Sequence, residues 1–204
     1  MNFIYNIFIT LYVAFIKLIS VFNHKARLWH QGRRGLLEEI ALSIDSDSDY
    51  IWFHCASLGE FEQGRPVVER FRKINPEFKI ILTFFSPSGY ENKKDYKGAD
   101  LVFYMPVDNL KSAKKFVEYV NPKAAVFIKY EFWYNHLTVL HQNKIPVIFV
   151  SSIFRKNQHF FKFYGGWFRD HLRKVTYFFV QNKESQELLH SIGINNSVVS
   201  ADTR

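Results

Sequence analysis

Residues 3–22, FIYNIFITLYVAFIKLISVF, form one apolar run of about twenty residues, long enough as a helix to cross the roughly 30 Å of bilayer hydrocarbon, with Lys17 as its one charge. A polar stretch covers 24–49 and ends in SIDSDSD. From residue 50 onward, short apolar runs rich in β-branched and aromatic residues alternate with amphipathic stretches, the signature of a βα repeat. Strands are predicted over 50–55, 78–84, 101–104, 124–129, 147–151, 176–181 and 197–200. Their near-continuous hydrophobicity implies burial on both faces, as in a parallel sheet. Helices fit between them over 61–74, 110–120, 132–142 and 183–191, with a basic, aromatic helix over 158–172; Asn75-Pro76 and Asn121-Pro122 stop the first two. Right-handed crossovers then give an α/β fold, a Rossmann-like doubly wound parallel sheet. The division that follows is an N-terminal membrane-anchor helix over 1–23, a polar connector over 24–49 and the Rossmann-like domain over 50–204.

The charges around the first apolar run set how it is read. A cleaved signal peptide carries its cations before the apolar core, whereas here Lys25, Arg27, Arg33 and Arg34 follow it. By the positive-inside tendency these hold the rest of the chain on the cytoplasmic side of the membrane. Spanning is the favoured reading. The alternative is a helix lying in the interface, since Asn6, Thr10 and Lys17 are costly at bilayer depth.

The formal net charge of +8 points to an anionic partner: nucleic acid, acidic lipid or a phosphorylated substrate. The single cysteine, Cys55, closes no intramolecular disulfide and has no second thiol with which to build a metal site, which fits a reducing compartment. The histidines show no metal-binding pair with supporting carboxylates, so no metal is expected. SLGEFEQGR, after the first strand, lacks both the dinucleotide and the P-loop glycine patterns. Nicotinamide and ATP chemistry are thereby disfavoured, and no cofactor is expected.

Ligands of open α/β sheets bind beyond the carboxyl ends of the strands, where strand order reverses. In a 3-2-1-4-5 order the first and fourth strands are neighbours at that point. The first runs into HCASLGE, bringing Ser57, Gly59 and Glu60 to the turn; the fourth runs into KYEFW, bringing Glu131 to the equivalent turn. Either glutamate alone fits a helix start, where the dipole favours an acid. Their joint placement on adjoining strand ends is what raises the reading of a functional site. The turn FFSPSGY offers Ser86, Ser88 and Gly89 to a phosphate or a sugar hydroxyl, or is a plain capped turn. The stretch RKNQHFFKFYGGWFRDHLRK interleaves cations with rings. It suits an anionic amphiphile or a single-stranded nucleic acid, and equally an amphipathic helix packed on the sheet. The apolar N-terminal run decides against nucleic acid.

IWFHCASLGEFEQGRPVVERF, with FFSPSGY, FYMPVD, KYEFWYNHL, IPVIFVSSIFRKNQ and FFVQNKES in order, resembles the Kdo (3-deoxy-D-manno-octulosonic acid) transferases of lipopolysaccharide synthesis. The resemblance implies the N-terminal, acceptor-binding half of a GT-B glycosyltransferase, with SADTR leading toward a second domain that holds most of the donor, CMP-Kdo. It implies an inverting, metal-independent transfer of Kdo to a lipid A precursor (lipid IVA), with this half alone inactive. Glu60 would be the general base, and Glu131 would orient the acceptor or stabilise the electron-poor sugar centre. Arg65 and Arg155 would contact acceptor phosphates. The chain departs from the family's E-T-E-x-W-P block at Lys129 and Tyr134, and its SSIFRKN replaces A-R-L-S, which shifts the alignment of Arg155. Rival readings are another membrane-bound GT-B enzyme using a UDP-sugar, and an anionic-lipid-binding module without activity of its own.

Overall fold

The computed structural model describes residues 1–129 and 131–200. Seven parallel strands form one sheet: β1 (Tyr50–Cys55), β2 (Lys79–Phe84), β3 (Leu101–Tyr104), β4 (Ala124–Ile128), β5 (Val147–Ser152), β6 (Tyr177–Val180) and β7 (Ser197–Val199). Their order is β3-β2-β1-β4-β5-β6-β7. Strand order therefore reverses between β1 and β4, which pair from Ile51↔Ala124 to His54↔Phe127. Residues of β1 are buried on both faces, as its unbroken run of apolar and aromatic side chains requires. One core layer gathers Trp52, Phe116, Phe127, Phe149 and Phe178; the other gathers Phe53, Phe61, Leu82, Phe84 and Ile128.

The helices are α1 (Asn2–Ile19), α2 (His24–Gln31), α3 (Leu36–Ser43), α4 (Leu58–Ile74), α5 (Pro87–Lys93), α6 (Leu110–Val120), α7 (Tyr134–Gln142), α8 (Gly166–Leu172) and α9 (Lys183–Ser191). Three features differ from the sequence expectation. The segment 24–49 is not merely a connector: α2 packs against α1 and α5 and α3 against β3 and α6, with Trp29, Leu36 and Ile40 buried. Between them, Arg33 donates to the carbonyls of Phe85 (2.7 Å) and Met105 (3.0 Å) and lies 4.0 Å over the Trp29 ring, tying this segment to the ends of β2 and β3. The stretch 158–172 is broken into a 3-10 turn (His159–Phe161) and α8, with residues 162–165 between them and Gly165 as the N-cap of α8. Finally, α5 follows β2 directly, started by Ser86 and Pro87.

The helix α1 is long and apolar enough to cross a bilayer, yet it is not detached from the domain. An inward stripe at helical spacing docks on the sheet's carboxyl edge. The Tyr5 hydroxyl donates to Asp108 Oδ2 (2.6 Å), Asn135 Nδ2 donates to Asn6 Oδ1 (3.1 Å), and Tyr12 meets the rings of Trp29 and Phe85. Trp167 of α8 donates to Asn2 Oδ1 (2.5 Å). The outward stripe of Ile4, Phe8, Leu11, Phe15 and Leu18 is exposed. The helix docked along its length in this way presents one face to the domain and one apolar stripe outward.

Candidate active site

Each glutamate is set by the turn that carries it. Ser57 is the N-cap of α4, its hydroxyl accepting from Glu60 N–H at 3.5 Å, and Glu60 stands three residues on. That is the spacing of a capping box. Glu60 Oε2 reaches one residue further back than that motif requires and accepts from the Ala56 N–H at 2.5 Å. The helix-start reading of this acid is thus real, and it is also what fixes the carboxylate at the end of β1. Glu60 is 8% exposed. Burial and the negative charge of Glu131 push its pKa up to about 7, against the opposing pull of the Ala56 N–H and the Lys129 cation.

Glu131 stands on the neighbouring turn, and burial pushes its carboxyl up as well. Two residues earlier, Lys129 sits at φ +69°, in the left-handed region that a long side chain seldom adopts. The turn is held there from both sides. Lys129 N–H donates to the Val150 carbonyl (2.7 Å), and the Ser152 hydroxyl donates to the Lys129 carbonyl (2.6 Å). Further on, Trp133 Nε1–H donates to His54 Nε2 at 3.0 Å. The proton of His54 is thereby placed on Nδ1, which lies 2.9 Å from the Thr83 hydroxyl; Trp52 Nε1 donates to the same oxygen at 2.7 Å. His54 is fully buried and its pKa is lowered to about 3, chiefly by burial, so the imidazole is neutral. The bond from His54 to Trp133 ties the Glu131 turn to the strand that ends at the Glu60 turn.

A cavity of about 310 Å³ lies between α1 and this edge of the sheet, with Glu131 in its lining. Glu60 is not among the lining residues. It lies one strand over, close enough for the charge of Glu131 to act on it. Asp108, also in the lining, is saturated: it accepts from Tyr5, from the backbone N–H groups of Asn135 and His136, and from His136 Nδ1 at 2.6 Å.

The remaining predicted residues divide. Ser86 and Ser88 lie on the adjoining turn, their hydroxyls 2.8 Å apart, and Ser86 N–H donates to the Ala56 carbonyl (2.8 Å). Gly89 is demanded by packing, because a Cβ there would fall 2.2 Å from Phe84 Cδ1. Gly59 is not: it is exposed at the start of α4, and an added Cβ would meet nothing nearer than Ser57 Oγ at 4.0 Å. Arg65 is not brought to the carboxylates. It is five residues past Glu60, a rotation of roughly 140° about the helix, and it is exposed and paired with Glu62 at 3.4 Å. Arg155 is exposed in the loop after β5, its N–H donating to Gln158 Oε1 (3.0 Å). The upstream neighbour of Glu131, Tyr130, and the ADTR end fall outside the described residues. Among the described residues no group of three or more His, Cys, Asp and Glu side chains gathers as metal ligands. Lys129, His54, Trp133 and Asp108 had no place in the sequence-based site. The left-handed turn at Lys129 and the long-range contacts of the other three leave no mark at short spacing.

An open, doubly wound parallel sheet with two carboxyls raised by burial on the turns at its switch point defines a Rossmann-like domain. Residues 28–204 match the family model of the 3-deoxy-D-manno-octulosonic-acid transferases, and the chain belongs to that family. It is 34% identical over 113 residues to the 3-deoxy-D-manno-octulosonic acid transferase of Aquifex aeolicus, covering 54% of this chain and 30% of that protein. It is 30% identical over 144 residues to the one of Haemophilus influenzae, covering 70% and 33%. The chain thus spans about a third of the length of these relatives. In fold it is similar to the UDP-GlcNAc 2-epimerase of Neisseria meningitidis (TM-score 0.52, 16% identity), over 76% of this chain and 47% of that one.

Proposed function

We propose that this chain is the acceptor-binding part of an inverting Kdo transferase with a GT-B architecture, in which Glu60 is the general base. The acceptor is a hydroxyl of a lipid A precursor such as lipid IVA, and the donor is CMP-Kdo, held mainly by a second domain. In the reaction the acceptor oxygen attacks the anomeric carbon of Kdo, and the bond from that carbon to the CMP phosphate oxygen breaks. CMP leaves with the electron pair, and the acceptor proton passes to Glu60. The observation that carries this reading is the state of Glu60: a buried carboxyl at the switch point, raised to about 7 by burial and by Glu131. A general base works best with a pKa near the working pH. With Oε2 committed to Ala56, Oε1 is the oxygen that takes the proton. Glu131 orients the acceptor or faces the electron-poor sugar centre. Lys129, whose charge reaches this edge, and the exposed Arg155 are assigned to the acceptor's phosphates; the Arg65–Glu62 pair argues against Arg65 in that role. The exposed apolar stripe of α1, with Lys17, Lys25 and Arg27 beside it, supports attachment to the cytoplasmic face of the inner membrane with the helix lying in the interface.

The test is to incubate the full-length protein containing this chain with CMP-Kdo and lipid IVA and weigh the lipid by mass spectrometry. One or more added Kdo masses are expected, and residues 1–204 alone are expected to give none. An unchanged lipid, with turnover only when a UDP-sugar is supplied, would replace this reading with a UDP-sugar transferase.

A further inference from the structure

We propose that the cavity between α1 and the carboxyl edge of the sheet holds one acyl chain of the lipid acceptor, so that the N-terminal helix is a wall of the substrate site as well as a membrane contact. The inference rests on the lipid-acceptor reading above and says where the acceptor's apolar part goes. The cavity, about 310 Å³, has Phe8, Ile9 and Tyr12 of α1 on one side and Trp29, Phe85 and Trp133 on the other. Two acids reach its lining. Asp108 is 1% exposed and spends its oxygens on Tyr5, Asn135 and His136, so it offers nothing to a ligand. Glu131 is then the one carboxylate left to meet a polar group, and it stands on the turn neighbouring Glu60.

Three observations select an acyl chain over other occupants. A sugar ring needs a hydrogen-bond partner for most of its hydroxyls, and a lining dominated by Phe, Ile, Val, Trp and tyrosine rings, with the Tyr5 hydroxyl already committed to Asp108, supplies mainly rings and methyl groups instead. Water gains little in an apolar cavity of this kind. Phe8 belongs to two surfaces at once: it lines the cavity and it is 63% exposed in the outward apolar stripe with Ile4, Leu11 and Phe15. An apolar path therefore runs without interruption from the outer face of α1 into the cavity and ends beside Glu131. A chain that stays partly in a bilayer while its headgroup reaches the carboxylates would follow that path.

Val107, in the loop before Asp108, also lines the cavity. Two substitutions that fill the cavity, Ile9→Phe on α1 and Val107→Phe on the domain side, test the proposal on the full-length protein. Two acceptors are compared: lipid IVA in detergent micelles and the same bisphosphorylated disaccharide with its acyl chains removed. The wild type is expected to show a KM at least tenfold lower for the acylated acceptor. Each variant should raise that KM tenfold or more and leave kcat/KM for the de-acylated acceptor within about twofold. Equal losses on both acceptors would assign the cavity to the sugar or to folding, and no loss on either would mean that no chain enters; each result overturns the proposal. A second readout needs no donor. A dibrominated fatty acid, kept below its micellar concentration, should quench the tryptophan fluorescence saturably through Trp29 and Trp133, with tenfold weaker binding in both variants. Quenching that grows without saturation, or equally in all proteins, would sink the proposal. Saturable quenching in a protein that transfers no Kdo would instead sink only the transferase reading.

Discussion

At the scale of single residues, the site is built from placements that oppose stability, and Glu60 is the clearest. Its carboxyl has an ordinary pKa of 4.5 and one of about 7 in the folded chain. Below about pH 4.5 both states are protonated and the residue is neutral to stability. As pH rises from 4.5 to 7 the unfolded chain releases the proton while the folded chain still holds it, so stability falls across that window and stays lower above it. Glu60→Gln is therefore expected to raise stability at pH 8 by on the order of 1–3 kcal/mol, seen as a higher melting temperature, and to leave it unchanged at pH 4. Turnover should fall about 10²–10⁴-fold in the same variant. Melting curves at the two pH values and steady-state rates check both halves. The neighbouring charges make a paired expectation for the acid limb of kcat/KM, which follows ionisation of Glu60. Glu131→Gln removes a negative charge, lowers the pKa of Glu60 and moves the limb to lower pH. Lys129→Met removes a positive charge and moves it to higher pH. Shifts of the same sign in both variants would show that Glu60 is not the titrating group.

At the scale of elements, α4 and the turn after β4 show what a helix or loop gives up to hold a site. Gly59 lies in the first turn of α4 with open space where a Cβ would go. Nothing in the chain demands glycine there, and glycine costs a helix roughly 0.5–1 kcal/mol relative to alanine. Gly59→Ala is expected to stabilise the fold by about that amount and to raise the KM for acceptor, because the missing side chain leaves room for a ligand beside Glu60. Unchanged KM would make Gly59 an incidental residue. On the facing turn, His54 acts through Trp133. His54→Leu leaves the Trp133 N–H without a partner in the core, a cost of about 1–3 kcal/mol. Turnover should fall because the Glu131 turn loses its tether, while the acid limb set by Glu60 stays in place; His54→Gln should restore part of the rate. How far these elements could be read from sequence follows the same physics. The strands were legible because each is a continuous apolar run, and the strand ends at Cys55 and Ile128 placed both glutamates. The helices α2 and α3 were not, because they attach through few apolar positions, Trp29, Leu36 and Ile40, spaced among polar ones. The break over 162–165 was hidden by the strong alternation of cations and rings around it. Arg65 was read as a neighbour of Glu60 from its proximity in sequence, where the rotation about α4 separates them.

At the scale of the whole molecule, the relation of α1 to the domain decides what the N-terminal helix is for. A helix that served only as a tether would contact the domain at its end. Here the Tyr5 hydroxyl enters the buried cluster that also joins Asp108 to the start of α7, where Asp108 accepts from the N–H groups of Asn135 and His136. Asp108 in turn precedes α6, so one carboxylate links α1, α6 and α7 around the edge of the sheet that carries Glu131. Removing the hydroxyl leaves a buried carboxylate short of one donor, and such a loss costs about 1–3 kcal/mol. Tyr5→Phe is expected to lower stability by that amount and to loosen the wall of the cavity without changing the exposed stripe of Ile4, Phe8, Leu11, Phe15 and Leu18. The two roles of α1 then separate by how the acceptor is presented. If α1 only brought the enzyme to the membrane, Tyr5→Phe would match the wild type both on vesicles and in detergent, and removal of residues 1–19 would lose activity on vesicles and recover it in detergent. If α1 is part of the site, both changes lower kcat/KM for the acylated acceptor in detergent as well, the deletion more than the single substitution. Full recovery of the deletion in detergent would return α1 to the role of a tether and leave the site to the sheet and its turns alone.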